Sequence, residues 1–405
     1  MASTSCNELA ERLLALCLNG EPWPNSLLLK LTSPECSDSF FRIVVERLAD
    51  LFEPRLCDTY AAMFSKLIAD AIPELHEQDL VARYQRVRHP GILAVDPKTV
   101  FVLSRVTLGA DVAITSILLD AARRRFPDAR ILLVGSSKSW ELFAGDPRIE
   151  HVPVTHLRSG SLAERLAPWR EFRRLLSAPN SIVLDPDSRL TQLGLLPVCP
   201  EENYRFFESR AFGDDSDDPL PVLASRWTRD VLGVIGASTW IAPVLSAEIP
   251  GRPLVTISLG VGENPAKRVP DPFEQRLVRY IAGTGAYVLI DEGAGGEEAE
   301  RVNRAIANCG ASASRVRSFR GSFAAFASAI AQSDLYVGYD SAGQHVAAAC
   351  GIPLLSIFAG YPSPRFFSRW RPWGKGKIEI VKVHSEETPL EILDRVLQSL
   401  ARLKS

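Results

Sequence analysis

Three segments of this chain bring glycine together with charged residues at the junction between an apolar run and a helix. The first is Ser258-Leu259-Gly260-Val261-Gly262-Glu263-Asn264-Pro265-Ala266-Lys267-Arg268. Glycines such as Gly260 let backbone N–H groups approach an anion, and Lys267 with Arg268 adds positive charge beside it. That chemistry suits a diphosphate; the plainer alternative is a solvated loop with surface charges. The second is Asp291-Glu292-Gly293-Ala294-Gly295-Gly296-Glu297-Glu298. A carboxylate at a strand–loop–helix junction can accept both hydroxyls of a ribose, or simply complement the dipole at a helix start. The third is Gly338-Tyr339-Asp340-Ser341-Ala342-Gly343-Gln344-His345, leading into Val346-Ala347-Ala348-Ala349. Unpaired N–H groups at that helix start, with the dipole behind them, form an anion site, and the small residues permit close approach of a phosphate. His345 in the first turn is placed either to donate to a phosphate or sugar or to sit satisfied in the core.

A fourth constellation, Asp185-Pro186-Asp187, has the spacing of a divalent-metal pair. It follows an apolar run in the first half of the chain, away from the glycine loops, and is read as structural or ligand-contacting rather than metal-ligating. The seven cysteines (Cys6, Cys17, Cys36, Cys57, Cys199, Cys309 and Cys350) form no CxxC pair and no His/Cys cluster with zinc spacing. No metal site or cofactor is expected. An odd, scattered set reads as reduced thiols in a cytosolic protein.

The elements that must hold these residues follow from hydrophobic periodicity. Residues 1–95 show helical spacing over Glu8–Leu18, Phe40–Phe52 and Tyr60–Ile72, punctuated by prolines, and read as a helical N-terminal extension. From Thr99 the pattern changes. Apolar runs at Thr99–Ser104, Ala129–Val134 and Ser181–Leu184 alternate with helical stretches such as Asp111–Phe126, the pattern of βαβ units in a parallel sheet. After the acidic loop at Gly213–Leu220 a helix near Arg226–Ile235 bridges to a second repeat. Its strands are Pro253–Leu259, Ala286–Ile290, Leu335–Gly338 and Pro353–Phe358. The predicted fold class is α/β, with two Rossmann-like domains at 96–225 and 226–405 following the extension at 1–95. Ligands bind beyond the carboxyl ends of such strands, where the three segments lie.

Composition agrees with two domains: 405 residues, 46% hydrophobic and 23% charged, is ordinary globular material. A net charge of −2 carries no basic excess that would advertise a nucleic-acid partner. The N-terminal MASTSCNELAERLL lacks the apolar core of a secretory signal, and no run of about 18 apolar residues is present. The expected location is therefore cytoplasmic, with peripheral membrane association and homo-oligomerisation left open.

The third segment resembles the bacterial heptosyltransferase family, glycosyltransferase family 9, in which Asp-Thr-Gly-x-x-His precedes an alanine-rich helix and a Gly-x-Pro. Asp340, Ser341 and His345 keep that spacing; Ala342 stands where the family has glycine, with Gly343 one place later. Lys267 and Pro270 are similar to the family's Lys-x-Trp-Pro element, with Val269 for Trp. Glu297 matches its ribose ligand, Gly321 falls in its adenine-pocket loop, and Arg369–Gly374 resembles a C-terminal turn. In the first half, Leu103–Val112 resembles the family's opening strand and Gly-Asp loop, with Ala110 inserted between Gly109 and Asp111. The likeness spans about residues 99–385 and leaves 1–95 unexplained.

The resemblance implies a GT-B fold, with a first domain that binds acceptor and a second that binds a nucleotide-sugar donor. It further implies an inverting, metal-independent transfer of a heptose-like sugar from an ADP-linked donor to a hydroxyl. The acceptor would be lipopolysaccharide core, another glycan, a protein or a natural product. Asp111 is carried over as the base that takes the acceptor proton. Lys267 and the helix start at Ser341–Gly343 would stabilise the departing diphosphate. Ser258, Gly260, Arg268, Glu297, Gly321, Asp340 and His345 complete the expected donor site, and Asp185 and Asp187 the acceptor side. The competing readings are a sugar-nucleotide hydrolase or epimerase on the same fold, and a noncatalytic nucleotide-sugar-binding protein.

Overall fold

The computed structural model describes residues 5–156, 161–262, 264–293 and 295–404. Two all-parallel sheets dominate it. The first contains β1 (Thr99–Leu103), β2 (Arg130–Gly135), β3 (Ile149–Pro153), β4 (Ser181–Asp185) and β5 (Tyr204–Phe206), in the order β3-β2-β1-β4-β5. The second contains β6 (Leu254–Ser258), β7 (Tyr287–Asp291), β8 (Val316–Phe319), β9 (Leu335–Tyr339), β10 (Leu354–Phe358) and β11 (Ile378–Lys382), in the order β11-β10-β9-β6-β7-β8. In each, the strand order reverses beside the first strand of the domain, between β1 and β4 and between β6 and β9. Those are the two topological switch points at which ligand crevices open.

The strands form where the sequence runs apolar because both faces are covered. On one face of the first sheet Val100, Val102, Ile131, Leu133, Ile182 and Leu184 pack with the helix Ser116–Arg125 and with Leu223 and Trp227 of the helix Leu220–Leu232. On the other face Phe101, Leu103, Leu132, Val134 and Val183 pack against Leu13, Leu28, Phe40, Phe64 and Leu67 of the N-terminal helices. The extension is therefore the second helical layer of the first domain. Its helices Cys6–Asn19, Pro54–Ala71 and Glu77–Val87 follow the expected amphipathic stretches, and each buries its apolar stripe in that layer.

Two expectations change. Cys6 and Cys36 form a disulfide, with Cα atoms 5.2 Å apart, so the cysteines are not all free thiols; Cys17, Cys57, Cys199 and Cys309 are buried and free. The first domain also extends past residue 225. The helix Leu220–Leu232 packs on it, Trp240 donates from Nε1 to the Ser116 carbonyl at 2.8 Å, and Ala242 N donates to the Leu142 carbonyl at 2.8 Å. The chain leaves the first domain after residue 242 and not at 226.

Candidate functional site

The second switch point gathers most of the expected donor residues. Ser258 ends β6 and Asp340 follows β9, side by side across the Ser258–Gly338 register. Lys267, delivered by a single turn of helix at Pro265–Lys267, reaches Asp340 with Nζ 2.6 Å from Oδ2. Gln344 Nε2 donates to the other Asp340 oxygen at 2.6 Å, and its Oε1 accepts from Ser356 Oγ at 2.5 Å. The lysine is 19% exposed and the aspartate 7%, so the pair is largely withdrawn from water and not a solvated contact. The helix Ala342–Cys350 starts here; Ser341 occupies its N-cap position without bonding it. The first N–H groups of that helix are thus presented to the crevice with the dipole behind them.

Glycine is required at Gly343 and leaves a close fit at Gly109. A β-carbon on Gly343 would collide with the Tyr336 hydroxyl. One on Gly109, in the loop after β1, would lie 3.3 Å from Ala342 Cα and 3.4 Å from His345 Cδ2. The two domains therefore meet at the helix start. His345 is buried, and burial depresses its pKa to about 4, with Asp340 opposing and Lys267 adding to the shift. It is neutral at physiological pH. Its ring faces Trp370 at 5.9 Å between centroids.

The first switch point holds three buried carboxylates. Asp111 is fully buried. Its carboxylate accepts from Ser104 Oγ at 2.8 Å, Arg105 N at 2.7 Å and Thr115 Oγ1 at 2.8 Å. Burial raises its pKa against those hydrogen bonds. In this arrangement it ties the loop after β1 to a π-helical turn at Asp111–Thr115, with both carboxylate oxygens hydrogen-bonded. Asp185 accepts from Ser188 N, Thr191 Oγ1 and Tyr204 OH at 2.7, 2.5 and 2.5 Å. Asp187 lies 3.0 Å from Arg210 Nε and 3.1 Å from Arg105 Nη1, and accepts from Ser209 Oγ at 2.9 Å. Both are fully buried. Their expected place on an acceptor surface gives way to a structural one, because every oxygen already has a partner inside the domain.

Residues 242–396 match the profile of glycosyltransferase family 9 (heptosyltransferase). That segment is a family 9 glycosyltransferase domain. Solved structures of such enzymes superpose on the chain. A family 9 glycosyltransferase from Veillonella parvula does so with a TM-score of 0.58 at 16% identity, covering 77% of this chain and 98% of its own. E. coli heptosyltransferase WaaC with ADP gives 0.53 at 15% identity over 74% and 99%. The E. coli ADP-heptose lps heptosyltransferase II gives 0.53 at 18% over 76% and 100%. The two parallel sheets are thus the two halves of a GT-B fold. No curated protein sequence matches the chain.

Within the family 9 domain, three expected donor residues sit differently. Arg268 is tied to Asp271 at 2.6 Å and to the buried Glu274 at 3.2 Å, which Arg301 also bridges at 2.9 Å. It holds the loop after β6 to the helix Phe273–Gly283. Glu297 is exposed at the start of the helix Glu297–Ala307. Its neighbour Glu298 instead turns inward, accepting from Val261 N at 3.2 Å, beneath Gly260 and Gly293. Gly321 is exposed beside the Phe319 ring, one strand farther out. Ala294 of the acidic loop lies outside the described residues. Sequence reasoning missed Gln344 and Glu298. For Glu298 the choice between adjacent glutamates depends on helix phase, which the string Gly-Glu-Glu leaves open.

Proposed function

We propose that the chain is an inverting, metal-independent glycosyltransferase that moves a heptose-like sugar from an ADP-linked donor to a hydroxyl acceptor. The single observation carrying this reading is the Lys267–Asp340–Gln344 chain at the N-terminus of the helix Ala342–Cys350, on the second switch point. As the glycosidic bond breaks, negative charge develops on the leaving diphosphate. A lysine already fixed at 2.6 Å from its carboxylate partner, and N–H groups already aligned by a helix, meet that charge without reorganising. Neutral His345 can donate to a phosphate or sugar oxygen from the first turn. Glu298, under the glycine loop, is suited to the ribose. The ADP and heptose assignments draw on E. coli heptosyltransferase WaaC, solved with ADP and with ADP-2-deoxy-2-fluoro heptose. Among the described residues no helix is long and apolar enough to cross a membrane.

The test is thermal unfolding of wild type and Lys267→Ala with ADP, UDP, GDP, CDP and dTDP, each protein compared with its own unliganded midpoint. A ligand at a hundred times its dissociation constant adds about 2.7 kcal/mol, a shift of a few degrees at this size. The expected result is a shift with ADP that Lys267→Ala diminishes. A shift with another base alone replaces the donor assignment, and no shift with any removes the reading.

A further inference from the structure

The N-terminal layer reaches the second domain at Phe52. The helices on either side of it, Glu46–Asp50 and Pro54–Ala71, bury Leu48, Leu56 and Phe64 in the core under the first sheet. Phe52, in the connection between them, joins a different core. That core also holds Phe366, with Trp370 packed against it, and both belong to the helix Pro364–Trp370 of the second domain. Phe52 keeps a left-handed backbone, φ 55°, which a bulky residue holds only where packing over-determines it. The packing is a triangle of rings. Phe52 is 2% exposed and meets Phe366 edge-on at 6.2 Å and Trp370 at 6.3 Å, and those two rings lie 6.4 Å apart.

Two corners of the triangle border the donor residues. Lys267 Nζ lies 5.5 Å from the centre of the Phe366 ring, within the range of a cation–π contact. Trp370 faces His345 at 5.9 Å, and its carbonyl lies 3.4 Å from Nε2 of Gln344, the side chain that also bonds Asp340. Lys267 is thus held from two directions. Asp340 fixes its charge at 2.6 Å, and the Phe366 ring limits where its stem can swing. An ammonium on a flexible four-carbon stem takes a precise position only from such neighbours. The Phe366 ring is itself held by Phe52 and Trp370.

We infer that Phe52 is a positioning residue for Lys267. Through the Phe366 ring, the N-terminal layer holds the lysine where it meets the departing diphosphate. This rests on the donor-site reading above. It gives the extension at residues 1–95 a part in the reaction beyond covering the first sheet. Because Phe52 acts through Phe366 on the lysine, its removal weakens ADP binding only while Lys267 is present.

The experiment titrates ADP into full-length wild type, Phe52→Gly, Phe52→Leu and Lys267→Ala, and into each Phe52 variant combined with Lys267→Ala. Each protein is also unfolded in denaturant. Glycine takes φ 55° without strain, so Phe52→Gly removes the ring and keeps the turn. The expected result is an ADP dissociation constant about tenfold weaker in Phe52→Gly, the scale on which packed side chains transmit such effects. Phe52→Leu, which keeps apolar bulk, should show an intermediate loss of about threefold. In the Lys267→Ala background either substitution should change the constant by less than about twofold, the non-additivity of groups that act as one unit. An equal loss in both backgrounds makes Phe52 a structural residue and overturns the inference, as does a folded Phe52→Gly that binds ADP like wild type. If Phe52→Gly does not fold, Phe52→Leu decides: a loss that Lys267→Ala abolishes supports the inference, and no loss or an equal loss overturns it. A wild type that binds no ADP removes the donor reading itself, and this inference with it.

Discussion

The two switch points share a topology and differ in what fills them. Between β1 and β4 the crevice is plugged by the protein's own polar groups: Asp111, Asp185 and Asp187 are fully buried, and Arg210 is 2% exposed against Asp187. Between β6 and β9 the charges stop short of closing it. Lys267 stays partly exposed, the helix start at Ala342 is uncapped, and His345 is held neutral. A buried ion pair satisfied inside a domain specifies structure, whereas preorganised charge beside an open crevice awaits a ligand.

The sharpest way to break the comparison is to unplug the first crevice. Asp187→Ala leaves Arg210 and Arg105 without their shared carboxylate, and denaturant unfolding should show a loss of about 3–5 kcal/mol. An effect under about 1 kcal/mol would mean those arginines find other partners or water.

The next effect separates the crevices by pH. The His345 imidazole takes a proton near 6.5 when unfolded and near 4 when folded. Acid therefore favours the unfolded chain. The stability that neutral His345 contributes is complete above about 6.5 and lost as pH falls toward 4, at most about 3 kcal/mol. His345→Gln should flatten that slope in unfolding curves taken from pH 4 to 7. Asp50 has the opposite sign. Its pKa is raised from 3.8 to about 6, so its contribution shrinks as pH rises through that interval. Asp50→Asn should be more stable than wild type at pH 8, by a few degrees in midpoint; a less stable variant would make Asp50 a structural residue.

Asp111→Asn tests whether that carboxylate belongs to the plug. As a loop organiser it should cost about 1–3 kcal/mol of stability while ADP release stays within tenfold of wild type. A loss of about a hundredfold or more in rate with stability unchanged assigns the base to Asp111. The smallest effect distinguishes adjacent glutamates: Glu298→Ala should weaken ADP binding by about tenfold, near the worth of one charge-assisted hydrogen bond, and Glu297→Ala should leave it unchanged in a titration.

Much of the donor crevice was legible in the string. Strands buried on both faces read as unbroken apolar runs, which is why β1, β2, β4, β6, β7, β9 and β10 stand out. Three of the four edge strands, β3 (IEHVP), β8 (VRSF) and β11 (IEIVK), interleave polar residues because one side of each meets solvent, and they were invisible to the same rule. Lys267 and the Asp340–His345 run were legible for a local reason: a helix start and the loop feeding it are built from consecutive residues.

Local sequence determined the two βα repeats, the switch-point loops and the cation at Lys267, because periodicity and glycine placement act over a few residues. Tertiary structure alone decided which carboxylates are spent. Asp111 and Asp50 look alike in the sequence. One accepts three hydrogen bonds inside a domain, while the other is buried within the electrostatic reach of Arg189 and Lys267, residues 78 positions apart in the chain. Burial and pairing are properties of a neighbourhood, and that neighbourhood is assembled from three separate stretches of chain.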